Sequence, residues 1–142
     1  MEVQVRLADA NDAEALAKLN QLFNGGDRRS AQEIAESMRE SSEIIAVAEM
    51  DGRVVGFGCA QSFRSFCYKE PLGEITEMYV EEAFRRMGAA TALLSCLEMQ
   101  LRKRGVTEVK VLTGRRNHSA IRTYKRCQYE EDDEQLLKKQ LT

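Results

Sequence analysis

The sequence has 142 residues, of which 43% are hydrophobic and 31% charged, and its formal net charge is −2 at pH 7. These values are typical of one globular domain, residues 1–142, with a real core, and they exclude a disordered chain. The absence of a basic excess argues against sequence-independent binding of nucleic acid. No apolar run approaches the length of a membrane helix, so we expect neither nucleic acid nor a membrane as a partner.

The cysteines and the single histidine limit the redox chemistry and metal binding that the chain can support. The cysteines form no Cys-x-x-Cys pair and sit within apolar or helical patterns. The N-terminal residues lack the charged-then-apolar order of a secretory signal. Reduced thiols in a cytoplasmic protein are therefore expected. His118 has no cluster of ligands around it in the sequence, which predicts that no metal is bound.

The first part of the chain predicts one strand and two helices. Residues 3–7 alternate like a strand. Residues 13–23 carry apolar side chains at helical spacing, and the glycine-rich residues 24–27 break the pattern. Ser30 and Glu33 form a capping-box pattern, which predicts the start of a second helix.

A β-hairpin is predicted next. Residues 44–50 are apolar and rich in β-forming residues, and residues 53–66 have the pattern of a returning strand. The dipeptide Asp51-Gly52 between them is a strong hairpin-turn signal. Gly58, inside the second strand, indicates a bend or close packing against a neighbour.

The second half of the chain predicts a strand, a long helix, and a further strand and helix. Residues 74–80 are the strand and residues 88–104 the helix, which Gly105 ends. Residues 106–113 alternate as the next strand, and Asn117 can cap a short helix after it.

The C-terminal residues complete the predicted fold. Residues 130–134 are an acidic run, most simply a solvated turn, although such a run also attracts cations. Residues 135–141 fit a strand or a helical tail, and we predict the strand. The order of elements is then β-α-α-β-β-β-α-β-α-β. This order predicts an α/β fold, with helices on the faces of a mixed sheet and a parallel β-α-β unit.

The loop between the 74–80 strand and the long helix is a candidate anion site. Gly88, Ala89 and Ala90 open the helix, where free backbone N–H groups and the helix dipole favour negative charge. Small side chains let a phosphate approach the backbone, and Arg85 and Arg86 add positive charge. Without a ligand, the same residues would form an ordinary helix start.

This strand, loop and helix resemble the acyl-CoA signature of the GNAT superfamily of N-acetyltransferases. The signature Gln/Arg-x-x-Gly-x-Gly/Ala is matched by Arg85, Gly88 and Ala90. The elements that follow, with Tyr124 in the next helix, are spaced as in the family. The resemblance extends over about residues 44–137 and is looser over the first two helices, which vary in the family with the acceptor.

The resemblance implies a GNAT-like single domain with splayed central strands, acetyl-CoA as the cosubstrate and no metal. It implies that the anion is the CoA pyrophosphate and that the preceding strand lines the pantetheine arm and the thioester. The implied cofactor-binding residues are Met78, Tyr79, Val80, Arg85, Arg86, Met87, Gly88, Ala89, Ala90, Thr91 and Asn117. Asn117 is equally well explained as a helix cap. The chain departs from the family at Gln128, where the family has glycine, at a cost in backbone freedom.

The resemblance also implies that an amine attacks the thioester directly, without a covalent enzyme intermediate. Tyr124 occupies the position of the family's general acid for the CoA thiolate, although it also fits a core aromatic of its helix. Glu74 and Glu77 are rival bases. On a regular strand they point to opposite faces, so only one would face the cleft unless a bulge intervenes.

The acceptor is expected to be a primary amine. The overall pattern is similar to that of members acetylating small amines such as aminoglycosides, which favours a small cationic acceptor and leaves a protein amine open. A homodimer is compatible with the resemblance. The competing hypotheses are a catalytically silent acyl-CoA-binding module and a nucleotide-binding protein. For the latter, the Gly-x-x-x-x-Gly-Lys-Ser/Thr loop is missing.

Overall fold

A computed structural model describes residues 2–142 of the chain. It contains two compact units, one ending at Leu112 and the other spanning Thr113–Thr142. The expectation of a single domain stays a prediction. Over residues 2–142, none of the helices has the length and apolar character needed to cross a membrane.

The first unit is built on a five-stranded sheet with the order β1-β2-β3-β4-β5. The strands are β1 (Gln4–Leu7), β2 (Ile44–Met50), β3 (Arg53–Phe63), β4 (Leu72–Val80) and β5 (Val109–Val111). Strands β1 to β4 pair antiparallel with their neighbours, and β4 pairs with β5 in parallel. The predicted mixed sheet and parallel β-α-β unit are therefore confirmed, although β3 and β5 are shorter than predicted.

Four α-helices accompany the sheet in the described residues. They are α1 (Ala13–Asn24), α2 (Ala31–Glu40) and α3 (Ala89–Lys103) in the first unit, and α4 (His118–Arg126) in the second. The capping box before α2 is confirmed. The Ser30 hydroxyl accepts the Glu33 N–H at 3.1 Å, and the Glu33 carboxylate accepts the Ser30 N–H at 3.2 Å.

The two faces of the sheet carry different layers, and strand β3 shows the division. Phe57 and Cys59 lie in a buried cluster with Leu16 and Leu19 of α1. The residue between them, Gly58, faces the opposite layer, because a Cβ there would lie 2.9 Å from Leu97 Cδ1 of α3. The absence of a side chain at Gly58 thus lets α3 approach the sheet, which confirms the predicted close packing.

The turn between β2 and β3 has the predicted hairpin conformation. Asp51 and Gly52 have φ angles of 53° and 74°. Two successive residues with positive φ are typical of a type I′ turn, whose twist matches that of the flanking strands. The hairpin prediction is confirmed.

The predicted C-terminal strand is wrong. Residues 135–141 are neither strand nor helix. Leu136 and Leu137 are 59% and 85% exposed, and Leu141 is 89% exposed. Adjacent leucines would point to opposite faces of a strand, and the segment has no β-branched residue that favours a pleated surface. The observed order therefore ends at α4.

Strands β4 and β5 pair over a short length only. Residues Gly73, Glu74 and Ile75 face Val109, Lys110 and Val111. Beyond Ile75, strand β4 continues to Val80 with no pairing to β5 among the described residues. The pairing of β4 with the edge strand β5 thus ends at Ile75, which leaves residues 76–80 of β4 with an edge that β5 does not pair. The splay of the strands stays a prediction.

Candidate active site on strand β4 and the start of helix α3

Strand β4 contains a bulge that changes which face its glutamates occupy. Cys59 of β3 lies opposite Glu77, but the next residue of β3 lies opposite Ile75, so Thr76 is an extra residue. Glu74 lies opposite Gln61, two residues from Cys59 and on the same face of β3. Glu74 and Glu77 therefore share one face. The expectation for a regular strand is wrong here, and the bulge alternative is correct.

Glu74 has a cationic partner. Its carboxylate lies 3.8 Å from the Lys110 ammonium group of β5, and its side chain is 25% exposed. This ion pair bridges the two strands at the end where they still pair.

Glu77 lies beside a second carboxylate that the sequence analysis missed. One carboxylate oxygen of Glu43, the Sγ atom of Cys59 and one carboxylate oxygen of Glu77 all lie within 4.8 Å of one another. Glu43 directly precedes β2, and no local pattern marks it. Only the pairing of β2, β3 and β4 brings it next to Glu77.

The protonation states within this cluster depend on burial and like charge. Burial raises the pKa of Glu43, and the nearby Glu77 carboxylate raises it further. Burial and both carboxylates raise the pKa of the Cys59 thiol well above its usual range. The thiol therefore keeps its proton and donates it in a hydrogen bond to Glu43. The expectation that no metal is bound stays a prediction.

An aromatic wall lies on the same sheet face as Glu77. The Tyr79 ring centroid lies 5.4 Å from that of Phe23 and 6.3 Å from that of Phe57. The Arg85 guanidinium carbon lies 5.6 Å from the Tyr79 ring centroid. Phe23, at the end of α1, is 39% exposed. The sequence pattern predicts Tyr79 as a site residue but neither phenylalanine, and the helical apolar pattern around Phe23 is the signal that points to it.

The neighbours of Tyr79 on β4 point the other way. Met78 lies opposite Gly58 and close to it on the α3 side, and Val80 is buried. The side chains of Met78, Tyr79 and Val80 therefore cannot line one pocket together. Along this part of β4, alternate residues turn their backbone N–H and C=O groups toward the edge that β5 does not pair.

The start of α3 has the geometry expected of an anion site. Gly88 is the N-cap residue with a φ of 89°, and no side chain caps this helix end. A Cβ at Gly88 would meet nothing within 4 Å. Arg86, with a φ of 64°, also has left-handed backbone, and it is exposed, as are Met87 and Thr91. The first-turn N–H groups of a helix lack acceptors within the helix, so this open end can receive an anion.

The other predicted residues of this loop contribute to its structure. The Arg85 Nε–H donates to the Val80 carbonyl at 2.8 Å and so ties the loop to the end of β4. Ala89 is buried and Ala90 partly buried, so their small side chains anchor the helix start. The role of these residues in cofactor binding stays a prediction.

The second unit contains the remaining predicted residues. The Asn117 side chain accepts the Ala120 N–H at 3.2 Å, so Asn117 caps α4. Tyr124 is 9% exposed, and its ring centroid lies 5.8 Å from that of Tyr129. Burial raises the pKa of Tyr124. Gln128 has a φ of 76°, the conformation that favours the family's glycine.

The match to a family model agrees with this geometry. Residues 13–129 match the model of the acetyltransferase (GNAT) family. The chain belongs to the GNAT family. The match includes the β4–α3 loop and Tyr124. It ends before residues 135–141, where the predicted strand is absent.

Curated relatives include two uncharacterised N-acetyltransferases. The chain is 34% identical over 97 residues to an uncharacterised N-acetyltransferase of Methanocaldococcus jannaschii, covering 68% of this chain and 43% of the relative. It is 35% identical over 112 residues to an uncharacterised N-acetyltransferase of Chlorobaculum tepidum, covering 77% of this chain and 66% of the relative. The chain thus spans less than two thirds of the length of either relative.

Solved structures share the GNAT fold at low sequence identity. An aminoglycoside acetyltransferase from an uncultured soil sample superposes with a TM-score of 0.82 and 18% identity, covering 99% of this chain and 95% of that one. A ribosomal-protein-alanine N-acetyltransferase of Brucella melitensis gives 0.81 and 18%, covering 98% and 99%. An aminoglycoside N-acetyltransferase in complex with CoA gives 0.84 and 17%, covering 99% and 96%. These likenesses show the fold.

Proposed function

We propose that this protein is an acetyl-CoA-dependent N-acetyltransferase acting on a primary amine. The proposal rests on one observation: in this GNAT chain, a strand edge without a partner strand is followed by an uncapped helix start. The edge of β4 that β5 does not pair ends at Val80, and a loop of residues 81–87 connects it to the uncapped start of α3 at Gly88. Curated relatives named as N-acetyltransferases and a neighbour solved with CoA support it.

The proposed acetyl-CoA site follows these two features. The pyrophosphate binds the backbone N–H groups at the start of α3, with Arg86 contributing positive charge. Gly88 allows the phosphates to approach closely, since a Cβ there would project into open space. The amide groups of the pantetheine arm pair with the open edge of β4 between Thr76 and Val80, as an added strand would.

The proposed reaction is a direct transfer. The neutral amine nitrogen attacks the thioester carbonyl carbon, and a backbone N–H of β4 stabilises the developing oxyanion. The C–S bond then breaks, and the Tyr124 hydroxyl donates its proton to the leaving CoA thiolate. Before the attack, a carboxylate takes one proton from the bound ammonium group and so yields the neutral amine. Glu77 is favoured over Glu74 as this base, because Glu74 already pairs with Lys110. Once the C–N bond has formed, the nitrogen loses a second proton to solvent, and the Tyr124 phenolate regains a proton from solvent. The net products are the acetylated amine, the CoA thiol and one released proton.

The proposed acceptor is a small cationic amine. Carboxylates and aromatic rings on one face of the sheet can bind a small molecule that bears an ammonium group. Neighbours with the same fold include aminoglycoside acetyltransferases, which supports this class. A protein α-amine is the second acceptor class, because a ribosomal-protein-alanine N-acetyltransferase also shares the fold.

The test combines cofactor binding with turnover. Calorimetry measures acetyl-CoA binding, and release of free thiol is followed with kanamycin, spermidine and a short peptide bearing a free α-amine. We expect acetyl-CoA to bind and thiol release to depend on at least one amine. Tight binding without turnover on any amine would instead indicate a silent acyl-CoA-binding module.

A further inference from the structure

Two carboxylates, those of Glu43 and Glu77, lie close together near the aromatic wall of Tyr79 and Phe57. We propose that Glu43 and Glu77 form a carboxylate pair that binds the acceptor's ammonium group. The pair also receives the proton that this group loses before it attacks the thioester. This inference rests on the proposed acetyl transfer and adds a catalytic residue, Glu43, to it.

The separation of the two side chains suits one ammonium nitrogen. One carboxylate oxygen of Glu43 and one of Glu77 lie within 4.8 Å of each other. A primary ammonium group has three N–H donors, and charge-assisted hydrogen bonds place nitrogen about 2.8 Å from each oxygen. A single nitrogen can therefore bond to both carboxylates at once. Both side chains are partly exposed, so the position is open to solvent.

The backbone holds Glu43 in place without using its carboxylate. The Glu43 N–H donates to the Ser41 hydroxyl at 3.0 Å. The Arg104 guanidinium donates to the Ser42 carbonyl at 2.8 Å and to the Ser62 hydroxyl at 3.1 Å. These bonds fix the segment that enters β2, so Glu43 is positioned before any ligand arrives.

The carboxylate pair has no basic side chain as an ion-pair partner among the described residues. Within the described residues, no lysine or arginine lies at ion-pair distance from either carboxylate, whereas Glu74 pairs with Lys110 and Glu81 pairs with Arg53. The groups that act on Glu43 are Cys59 from β3 and Glu77 from β4. Cys59 stays neutral, so it supplies no charge of opposite sign to the two carboxylates. A bound cation would supply one.

The proton balance follows from this arrangement. When the ammonium group binds, the pair carries two negative charges and the ammonium one positive charge. One N–H bond breaks, its proton moves to a carboxylate oxygen, and the nitrogen keeps the electron pair with which it attacks the thioester. The proton is then shared by the pair, as is usual for closely coupled carboxylates, and leaves to solvent.

A double-mutant cycle tests the pairing. Glu43→Gln, Glu77→Gln and the double variant are compared with wild type for kcat/KM against pH, with the panel amine that gives the highest rate. Glu40→Gln, an exposed change of the same charge on α2, is the matched control. Thermal unfolding verifies that each variant is folded, and Glu43→Asp tests whether a shorter carboxylate restores part of the rate.

We expect Glu43→Gln to lower kcat/KM about tenfold or more and to move its acid limb to lower pH, because the carboxyl group whose pKa is raised by burial and by Glu77 is then absent. The double variant should lose little more than the worse single variant. The pairing would be refuted, and the acetyl transfer left standing, if wild type is active and two results appear together. The double variant loses the product of the two single losses in kcat/KM, and the acid limb stays at the same pH in Glu43→Gln. If wild-type protein turns over no amine, the proposed transfer fails, and the pairing fails with it.

Discussion

Glu74 and Glu77 lie on the same face of the sheet, because the extra residue Thr76 reverses the alternation between them. Their surroundings nevertheless differ. Glu74 pairs with Lys110 at the edge where β4 and β5 meet, whereas Glu77 lies among Cys59 and Glu43. The bulge thus places two carboxylates on one surface and leaves only one of them without a cationic partner.

This difference predicts unequal effects of the two amide substitutions. Glu77→Gln should lower kcat/KM for the amine about 10²-fold or more, the usual contribution of a general base, with acetyl-CoA affinity unchanged. Glu74→Gln should have a much smaller effect, since it removes one partly exposed ion pair. Initial rates and calorimetry on both variants check this. Equal losses of kcat/KM in the two variants would mean that Glu77 is not the base in preference to Glu74.

The geometry at Gly88 predicts a selective loss of cofactor binding. Gly88→Leu should weaken acetyl-CoA binding at least tenfold, about 1.4 kcal/mol, by projecting a side chain where the phosphates approach. Gly52→Leu is the matched control, because Gly52 also has positive φ and open space around it but lies in the β2–β3 turn. Both changes strain the backbone, so both should lower the melting temperature. Unchanged calorimetric affinity in Gly88→Leu would refute the anion site.

Tyr124 should affect the chemical step more than binding. Burial raises the pKa of Tyr124 from its ordinary value of 10.0, so the hydroxyl keeps its proton at neutral pH and can donate it. Tyr124→Phe should lower kcat about 10²-fold or more and leave the acetyl-CoA affinity nearly unchanged. In wild type, kcat should fall only above about pH 10, as the hydroxyl ionises. A rate in Tyr124→Phe that matches wild type at every pH would mean that Tyr124 is structural.

Local patterns in the sequence predicted the elements that depend on local chemistry. The capping box at Ser30, the hairpin turn at Gly52 and the helix after Gly88 each depend on residues close in sequence, and each is present. The segment of residues 135–141, by contrast, has no clear alternation of apolar and polar residues to support the predicted strand. The absence of this strand shows that two adjacent leucines do not determine the secondary structure of a segment.

The candidate site was only partly predictable, for a physical reason. The loop before α3 is contiguous in sequence, so the pattern from Arg85 to Ala90 was sufficient to locate it. The Thr76 bulge has no glycine to mark it, and only the register between β3 and β4 reveals it. Glu43 meets Glu77 only through the pairing of three strands, which no local pattern encodes.

Asp12 predicts how stability depends on pH. Asp12 is 5% exposed, and its carboxylate accepts hydrogen bonds at 2.8 Å from the Arg6 guanidinium and at 2.8 Å from the Asp9 N–H. The Arg6 hydrogen bonds are the main cause that lowers the pKa of Asp12 below its ordinary value of 3.8. The folded-state pKa is depressed, so this stabilisation is fully present above the ordinary value and is lost as pH falls through the lowered one.

Replacing this carboxylate should therefore cost stability at neutral pH and less in acid. Asp12→Asn should lower the free energy of unfolding by about 2 kcal/mol at pH 7, with the difference from wild type shrinking below about pH 4. Urea unfolding at several pH values measures it. Asp27→Asn, at an exposed position, is the control and should change little. A constant difference from pH 7 down to pH 3 would contradict the charged pairing.

The most direct measurement of the central claim is the fate of the acetyl group itself. Acetyl-CoA carrying an isotope label in the acetyl group is incubated with the protein and each amine, and mass spectrometry of the amine is compared with thiol release. The account predicts labelled acetyl on the amine nitrogen in a one-to-one ratio with released CoA thiol. Thiol release without acetylated amine, or tight acetyl-CoA binding without release for any amine tested, would contradict it.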